Sequence, residues 1–200
     1  MNSRIENIIE KLDELEQIYQ ENKGIILTEY DLQCLVFHKI YDLFNHNQKT
    51  FDYHITGSPL HSEINFFDEN GKLFYRPDIT IIEPENYSII HSISDISIKN
   101  ERLIYKPTSS KEFEFGGNSI IIELKFCKNK NGIKIISEYE ADLDKIKKIK
   151  RLVERDRNSK VYGLVVIFNK TDKKNRRFQE FINRDEDDIK IKYYTGKFEA

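Results

Sequence analysis

The sequence predicts an α/β protein in which a mixed central β-sheet is flanked by helices on both faces. Three observations carry that expectation. Residues 119–126 and 161–168 are short, mostly apolar runs rich in isoleucine and valine, the pattern of strands buried on both sides. Residues 3–22, 28–44 and 137–156 instead space their apolar side chains by three and four, the helical period. Helical segments fall between strands, so sheet and helices must pack as layers on one another.

Two hundred residues suit one domain with a real core. With 38% hydrophobic and 33% charged residues, the chain reads as globular rather than disordered or membrane-embedded. No apolar run approaches the roughly 20 residues of a membrane span. The charged, amphipathic start of the chain lacks the apolar stretch of a secretory signal. A cytoplasmic protein with no membrane partner is the expectation. Cys34 and Cys127 show neither metal-ligand nor disulfide spacing and read as small buried side chains. A net charge of −2 argues against a protein that coats nucleic acid by bulk electrostatics. The basic runs at 145–157 and 170–177 can still supply a local cleft, although a solvated surface is the plainer reading of each.

The first helix carries Ile5, Ile8, Leu12, Leu15 and Tyr19 as a coiled-coil-like seam about two heptads long. Residues 1–24 are set apart as an N-terminal amphipathic helix whose seam packs either on its own domain or on a partner subunit, as a dimer contact. Residues 25–200 form the main domain. Thr28, with Asp31 three residues on, resembles a capping box. The helix it opens would bury Leu32, Leu35, Val36, Ile40 and Leu43. A turn at 57–59 leads to a strand at 61–67, and a turn at 68–71 closes a hairpin onto a strand at 72–83. Residues 84–117 form a strand-rich insertion, with extended pieces at 88–98 and 102–105. After the strand 119–126 come a turn at 129–132 and a helix that buries Tyr139, Leu143, Ile146, Ile149 and Val153. Strand 161–168 is the most apolar and is expected at the centre of the sheet. A short helix at 176–183 and a strand at 189–194 complete the order.

Charged residues interrupt this pattern at two strand ends. Glu123 and Lys125 lie two apart, so a strand projects both from one face while Leu124 points the other way. Burying either charge is costly unless it is paired or binds a cation. A D/E-x-K tripeptide occurs four times, at Glu21/Lys23, Glu123/Lys125, Asp172/Lys174 and Asp188/Lys190. Only Glu123/Lys125 extends a run of isoleucines. The chain's only Pro-Asp dipeptide, Pro77-Asp78, heads another apolar strand upstream. For each residue alone, a strand cap or a surface ion pair is the bland alternative.

Pro77-Asp78, followed 45 positions later by Glu123-Leu124-Lys125 and preceded by Glu29 on a helix, resembles the PD-(D/E)xK superfamily of restriction-endonuclease-like nucleases. The order of elements from 28 to 168 is similar to that superfamily's α-β-β-β-α-β core, with 84–117 inserted. The resemblance implies a Mg²⁺ ion, replaceable by Mn²⁺, held by Asp78, Glu123 and the backbone carbonyl of Leu124. Glu29 is a further candidate ligand. Hard oxygen donors suit that ion. The metal would polarise a phosphate and activate water, while Lys125 orients that water and offsets developing charge. Asp78, Glu123 and Lys125 are thus the candidate catalytic residues. Arg76 and Lys145 are candidate substrate contacts, with Asp142 a polar residue beside the site on the same helix as Lys145. Glu63 shares a strand face with His61, from which both could reach the substrate or metal, although an exposed strand face is the plainer reading. His38, His46, His54 and His91 show no ligand spacing.

The function implied is a metal-dependent endonuclease acting on DNA, of a restriction or other defence type, with a homodimer as the candidate assembly. An RNase or a junction resolvase would use the same chemistry. Two other classes stand beside it: a catalytically silent nucleic-acid-binding or assembly protein on the same fold, and an acidic regulatory or inhibitor protein. An intact Asp78/Glu123/Lys125 set argues against the former, and strand-end acids are unexplained by the latter.

Overall fold

The computed structural model describes the chain except residues 1, 53–54, 68–72, 89–92, 100–101, 108–113, 130–135, 156–157, 185 and 199–200; for 2, 67, 74, 93–99, 102–107 and 114 it describes the backbone alone. Among the described residues the fold is mixed α/β, with a five-stranded sheet and four α-helices. The sheet strands are β1 (Leu60–Ser62), β2 (Ile79–Ile82), β3 (Ser119–Cys127), β4 (Val161–Asn169) and β5 (Ile189–Thr195). They lie side by side in chain order. β1, β2 and β3 pair antiparallel, whereas β3, β4 and β5 pair parallel. The parallel pairs need crossovers, and the helices supply them.

Helices α1 (Asn2–Glu21) and α2 (Glu29–Tyr41) pack on one face, and α3 (Ser137–Val153) and α4 (Arg176–Ile182) on the other. The period of two divides β3 between them. Ile120, Ile122 and Leu124 join the core under α1 and α2, while Ile121 joins the core under α3 and α4. Glu123 and Lys125 therefore project to the α3 side.

The N-terminal helix is part of this core. Ile5, Ile8, Ile9, Leu12, Leu15 and Tyr19 are all buried within the chain. The seam is thus not a dimer contact, because the protein's own sheet and α2 already cover it. The buried face of α1 shares one hydrophobic core with α2 and the sheet.

Sequence expectation and structure part company at four further places. The strand expected at 61–67 stops at Ser62, because Glu63 turns to φ 54°, a left-handed conformation that ends the ladder. Phe66–Phe67 pairs instead with Leu73–Tyr75 in a separate ribbon. The strand expected at 72–83 is broken at 76–78, where Pro77 has no N–H to donate. β4 is an inner strand but second from the edge, and β3 takes the centre. Cys34 is exposed on the outer face of α2 and Cys127 is partly exposed, so neither is a buried apolar plug.

The insertion forms an antiparallel hairpin, Ile93–Lys99 with Arg102–Pro107, and a short pairing of Tyr87–Ser88 with Glu114–Phe115. The turn expected at 68–71, all but the first residue of the turn expected at 129–132, and His54 and His91 lie outside the described residues. Among the described residues no helix is long and apolar enough to cross a membrane.

Candidate functional site

The site grows from the place where β2 stops pairing with β3. Their ladder ends at Ile79 opposite Ile122, so among the described residues the edge of β3 beyond it has no strand partner on that side. Asp78, the residue just before β2, fills the gap. Its Oδ2 accepts the Leu124 N–H at 2.7 Å. Its carbonyl accepts Gln33 Nε2 from α2 at 3.0 Å and the Glu63 N–H at 3.2 Å. In a strand the N–H and C=O of one residue leave on the same edge, so the Leu124 carbonyl also faces the Asp78 side.

Glu123 is only 5% exposed. Its Oε2 accepts a hydrogen bond from the hydroxyl of the buried Tyr75, and its Oε1 lies 3.6 Å from Lys125 Nζ. The same ammonium lies 3.3 Å from Asp142 Oδ2 and 3.4 Å from Glu29 Oε1. Glu29 reaches this point because Thr28 caps α2. The Thr28 hydroxyl accepts the Asp31 N–H at 3.1 Å, and the Asp31 carboxylate accepts the Thr28 N–H at 2.9 Å. Glu29 Oε2 then takes the Phe126 N–H at 3.2 Å, which ties α2 to the end of β3.

Asp142 comes from α3 and is 3% exposed. Its Oδ1 accepts from Lys145 Nζ at 2.8 Å, whereas its buried Oδ2, though close to Lys125, accepts no hydrogen bond. Lys145 lies over the Tyr75 ring, 5.1 Å from its centroid. Arg76 is held elsewhere, 3.7 Å from Glu63, with half of its side chain exposed. His61 is a largely buried ring set edge-on to Tyr87. The structure thus gathers Asp78, Glu123, Leu124, Lys125, Glu29 and Lys145, while the Arg76 side chain faces Glu63 and His61 packs on Tyr87.

Electrostatics follow from this crowding. Burial pushes the Asp78 carboxyl up to about 6; the Leu124 N–H and Lys125 oppose the rise, and the charges of Glu29 and Asp142 add to it. Burial and then the Asp78 charge push Glu123 up to about 7, with the Tyr75 hydrogen bond pulling the other way. Burial works against the Lys125 ammonium, but Asp142, Glu29 and Glu123 outweigh it and raise its pKa above the ordinary lysine value. Lys125 is a permanent cation here. Four carboxylates (Glu29, Asp78, Glu123, Asp142) face two ammonium groups (Lys125, Lys145), an excess of negative charge in a partly desolvated site.

Every donor left over is an oxygen, the type that hard divalent cations take. The buried Asp142 Oδ2 and the upward-shifted pair Asp78/Glu123 are groups that an added positive charge would stabilise. In donor chemistry the residues fit Mg²⁺. Among the described residues, however, no three acid, imidazole or thiol groups already stand at ligand spacing around one point. The Lys125 ammonium stands between Glu29, Glu123 and Asp142 instead.

Sequence reasoning gave no role to Tyr75 or Gln33, and treated Asp142 only as a polar neighbour. Asp142 had a readable signal. Tyr139, Leu143 and Ile146 mark the inward stripe of α3, and Asp142 lies within it, three residues from one and four from another. Tyr75 had none, since its partner is 48 positions away. No protein-family model, curated protein or solved structure matches this chain.

Proposed function

We propose that this chain is a metal-dependent phosphodiesterase of the PD-(D/E)xK kind, an endonuclease that hydrolyses DNA. One observation carries the reading: Asp78 and Glu123, both pushed toward neutrality by burial, sit beside a lysine whose ammonium touches three carboxylates. A scaffold has no use for so costly an arrangement. The order α2–β1–β2–β3–α3–β4 also follows the α-β-β-β-α-β core of that superfamily, which supports assigning the restriction-endonuclease-like fold.

In this reading Asp78, Glu123 and the Leu124 carbonyl would hold Mg²⁺ or Mn²⁺, with Glu29 or Asp142 as a further oxygen donor. When bound, the cation polarises the scissile phosphate and lowers the pKa of its water. The protein's own groups do the rest. Lys125 donates hydrogen bonds to the attacking water and offsets charge gathering on the phosphate oxygens. Asp142 and Glu29 keep its ammonium charged and in place. Tyr75 holds Glu123 by Oε2, so that Oε1, on the Lys125 side, is the oxygen that would meet the cation. Water would then attack the phosphorus in line and release one proton to solvent, one P–O bond forming as the opposite one breaks, and the leaving oxygen would take a proton from solvent.

A second reading has one observation behind it. Lys125 already neutralises part of the acidic cluster, as a purely structural ion-pair core would. That protein would be a silent nucleic-acid-binding or assembly module on the same fold. Cleavage assays separate the two: plasmid, single-stranded DNA and RNA are incubated with Mg²⁺, Mn²⁺ or EDTA. Metal-dependent hydrolysis supports the enzyme. Intact substrate under every condition supports the silent module. The polymer that is cut distinguishes a DNA nuclease from an RNase, and a junction substrate tests for a resolvase. A defence role and a homodimer remain part of the proposal.

A further inference from the structure

Beside the acidic cluster, on the carboxyl side of the parallel strands, the structure holds a second and opposite feature. A groove of ≈ 400 Å³ is lined by Lys23, Lys128 and Lys170 together with Phe126, Phe198 and Leu27. Among the described residues its lining includes no acidic one. Four chain segments build it where β3 and β4 end, the first being residues 23–27 after α1. Lys128 follows β3 and Lys170 follows β4, and the Lys170 N–H donates to the Cys127 carbonyl at 2.8 Å. The tail after β5 is the fourth, with the Phe198 N–H donating to the Lys170 carbonyl at 3.1 Å. Lys23 and Lys170 each place their ammonium 4.9 Å from the centroid of the Phe198 ring.

Elsewhere the chain pairs many of its lysines. Lys11, Lys39, Lys147, Lys150, Lys160 and Lys190 all lie within ion-pair distance of a carboxylate. Among the described residues, Lys23, Lys128 and Lys170 make no such pair. Three lysines lining one groove, with no ion-paired carboxylate among the described residues, repel one another, and an anion relieves that repulsion. The groove is also linked to the site through Glu29. Phe126 forms part of its wall, and the Phe126 N–H is held by Glu29, whose other oxygen meets Lys125. In open α/β sheets, ligands bind outside the carboxyl ends of the strands. The groove lies there.

We infer that this groove holds the sugar-phosphate backbone of a nucleic acid strand, with Lys23, Lys128 and Lys170 contacting phosphates next to the one presented to Lys125. The inference rests on the nuclease reading for the strand's identity, and the chemistry recognised is a chain of phosphodiesters. The aromatic ring holds the ammonium groups by cation–π attraction while leaving them open to solvent and phosphate. This basic surface is local, so the overall acidity of the chain does not oppose it.

The test is equilibrium binding of labelled duplex DNA, single-stranded DNA and RNA to the full chain, followed by fluorescence anisotropy in EDTA so that nothing is cut. Wild type is compared with a Lys23→Ala/Lys128→Ala/Lys170→Ala variant, and with Lys148→Ala on the exposed side of α3 as a control. Circular dichroism checks that each variant is folded. The triple variant is expected to bind more than about tenfold more weakly. On duplex DNA its dependence of log K on log salt should flatten by about 0.9 for each phosphate that is no longer neutralised. Unchanged affinity and slope would overturn the inference, as would an equal weakening by Lys148→Ala or no binding by wild type to any of the three polymers. Failure of the two readings is distinguishable. Lysine-dependent binding without cleavage under any metal removes the nuclease and keeps the groove. Cleavage with lysine-independent binding removes the groove and keeps the nuclease.

Discussion

Asp78 and Leu124 are joined where the next rung of a β-ladder would stand: the Asp78 carboxylate accepts the Leu124 N–H at 2.7 Å, just past the last backbone pair, Ile79 with Ile122. One side chain thereby finishes the sheet edge and carries a charge into the site. Its two duties can be separated by substitution. Asp78→Asn keeps an oxygen for the Leu124 N–H, so stability should stay within about 1 kcal/mol of wild type, whereas Asp78→Ala strands a buried donor and should cost about 1–3 kcal/mol. Both should lose cation binding. Urea melts together with Mn²⁺ titration calorimetry check this, and an Asn variant that binds the ion as well as wild type would remove Asp78 as a ligand.

The pH dependence has a definite sign. Asp78 and Glu123 have folded-state values of about 6 and about 7, both above their ordinary carboxylate values of 3.8 and 4.5. Their contribution to stability is therefore fully present below about pH 4 and is lost as pH rises through 6 to 7. The metal-free protein should lose this contribution over that window. A divalent cation, which needs both carboxylates ionised, should bind more tightly across the same window. Thermal melts between about pH 5 and pH 8, with and without Mg²⁺, measure both. A stabilisation by Mg²⁺ that is the same at both ends of the range would count against the pair as ligands.

Tyr75 acts through Glu123. Removing its hydroxyl with Tyr75→Phe takes away a hydrogen bond that holds the Glu123 pKa down. The midpoint for cation binding should move to higher pH, and activity near neutrality should fall about 10- to 100-fold, the usual loss when a ligand's supporting partner goes. The ring remains, so the fold should persist. A merely packing role for Tyr75 would leave that midpoint where it was.

A close helix–strand approach supports the site from behind. A Cβ on Gly163 of β4 would lie 2.8 Å from methyl carbons of Ile146 on α3 and Ile189 on β5. Gly163→Ala should cost about 1–3 kcal/mol by overpacking. Because α3 carries Asp142 and Lys145, its displacement should also lower activity. Chemical denaturation gives the first number, and an unchanged midpoint would show that α3 can yield without cost.

Local chemistry was legible in the sequence wherever it was written in neighbouring residues. The capping box of Thr28 and Asp31 formed as its spacing implied, and the three-four repeat of α1 marked its buried face. What covers that face was not legible, because a seam of Ile5, Leu12 and Tyr19 looks the same against a sheet as against a partner. The break at Glu63 was hidden as well. Alternation from His61 to Phe67 continues in the sequence, and only the approach of Asp78, whose carbonyl takes the Glu63 N–H, turns the chain there. Asp78, Glu123 and Lys125 stood out because charge at the end of a buried run is costly. Tyr75 is apolar enough to hide in its strand, and Gln33 reads as one more polar residue of a helix. The lysine groove was hidden more deeply, since its three cations lie at 23, 128 and 170 and meet only when three chain segments converge.

The most direct measurement is single-turnover hydrolysis of labelled DNA by wild type, Asp78→Ala and Lys125→Ala, each with Mg²⁺ and with EDTA. Wild type should cut only with the metal. Lys125→Ala should slow the chemical step by at least about 10²- to 10³-fold, the range for losing one group that stabilises developing charge. Asp78→Ala should abolish metal-dependent cutting. Metal-dependent cleavage that survives both substitutions at the wild-type rate would contradict the assignment of this site.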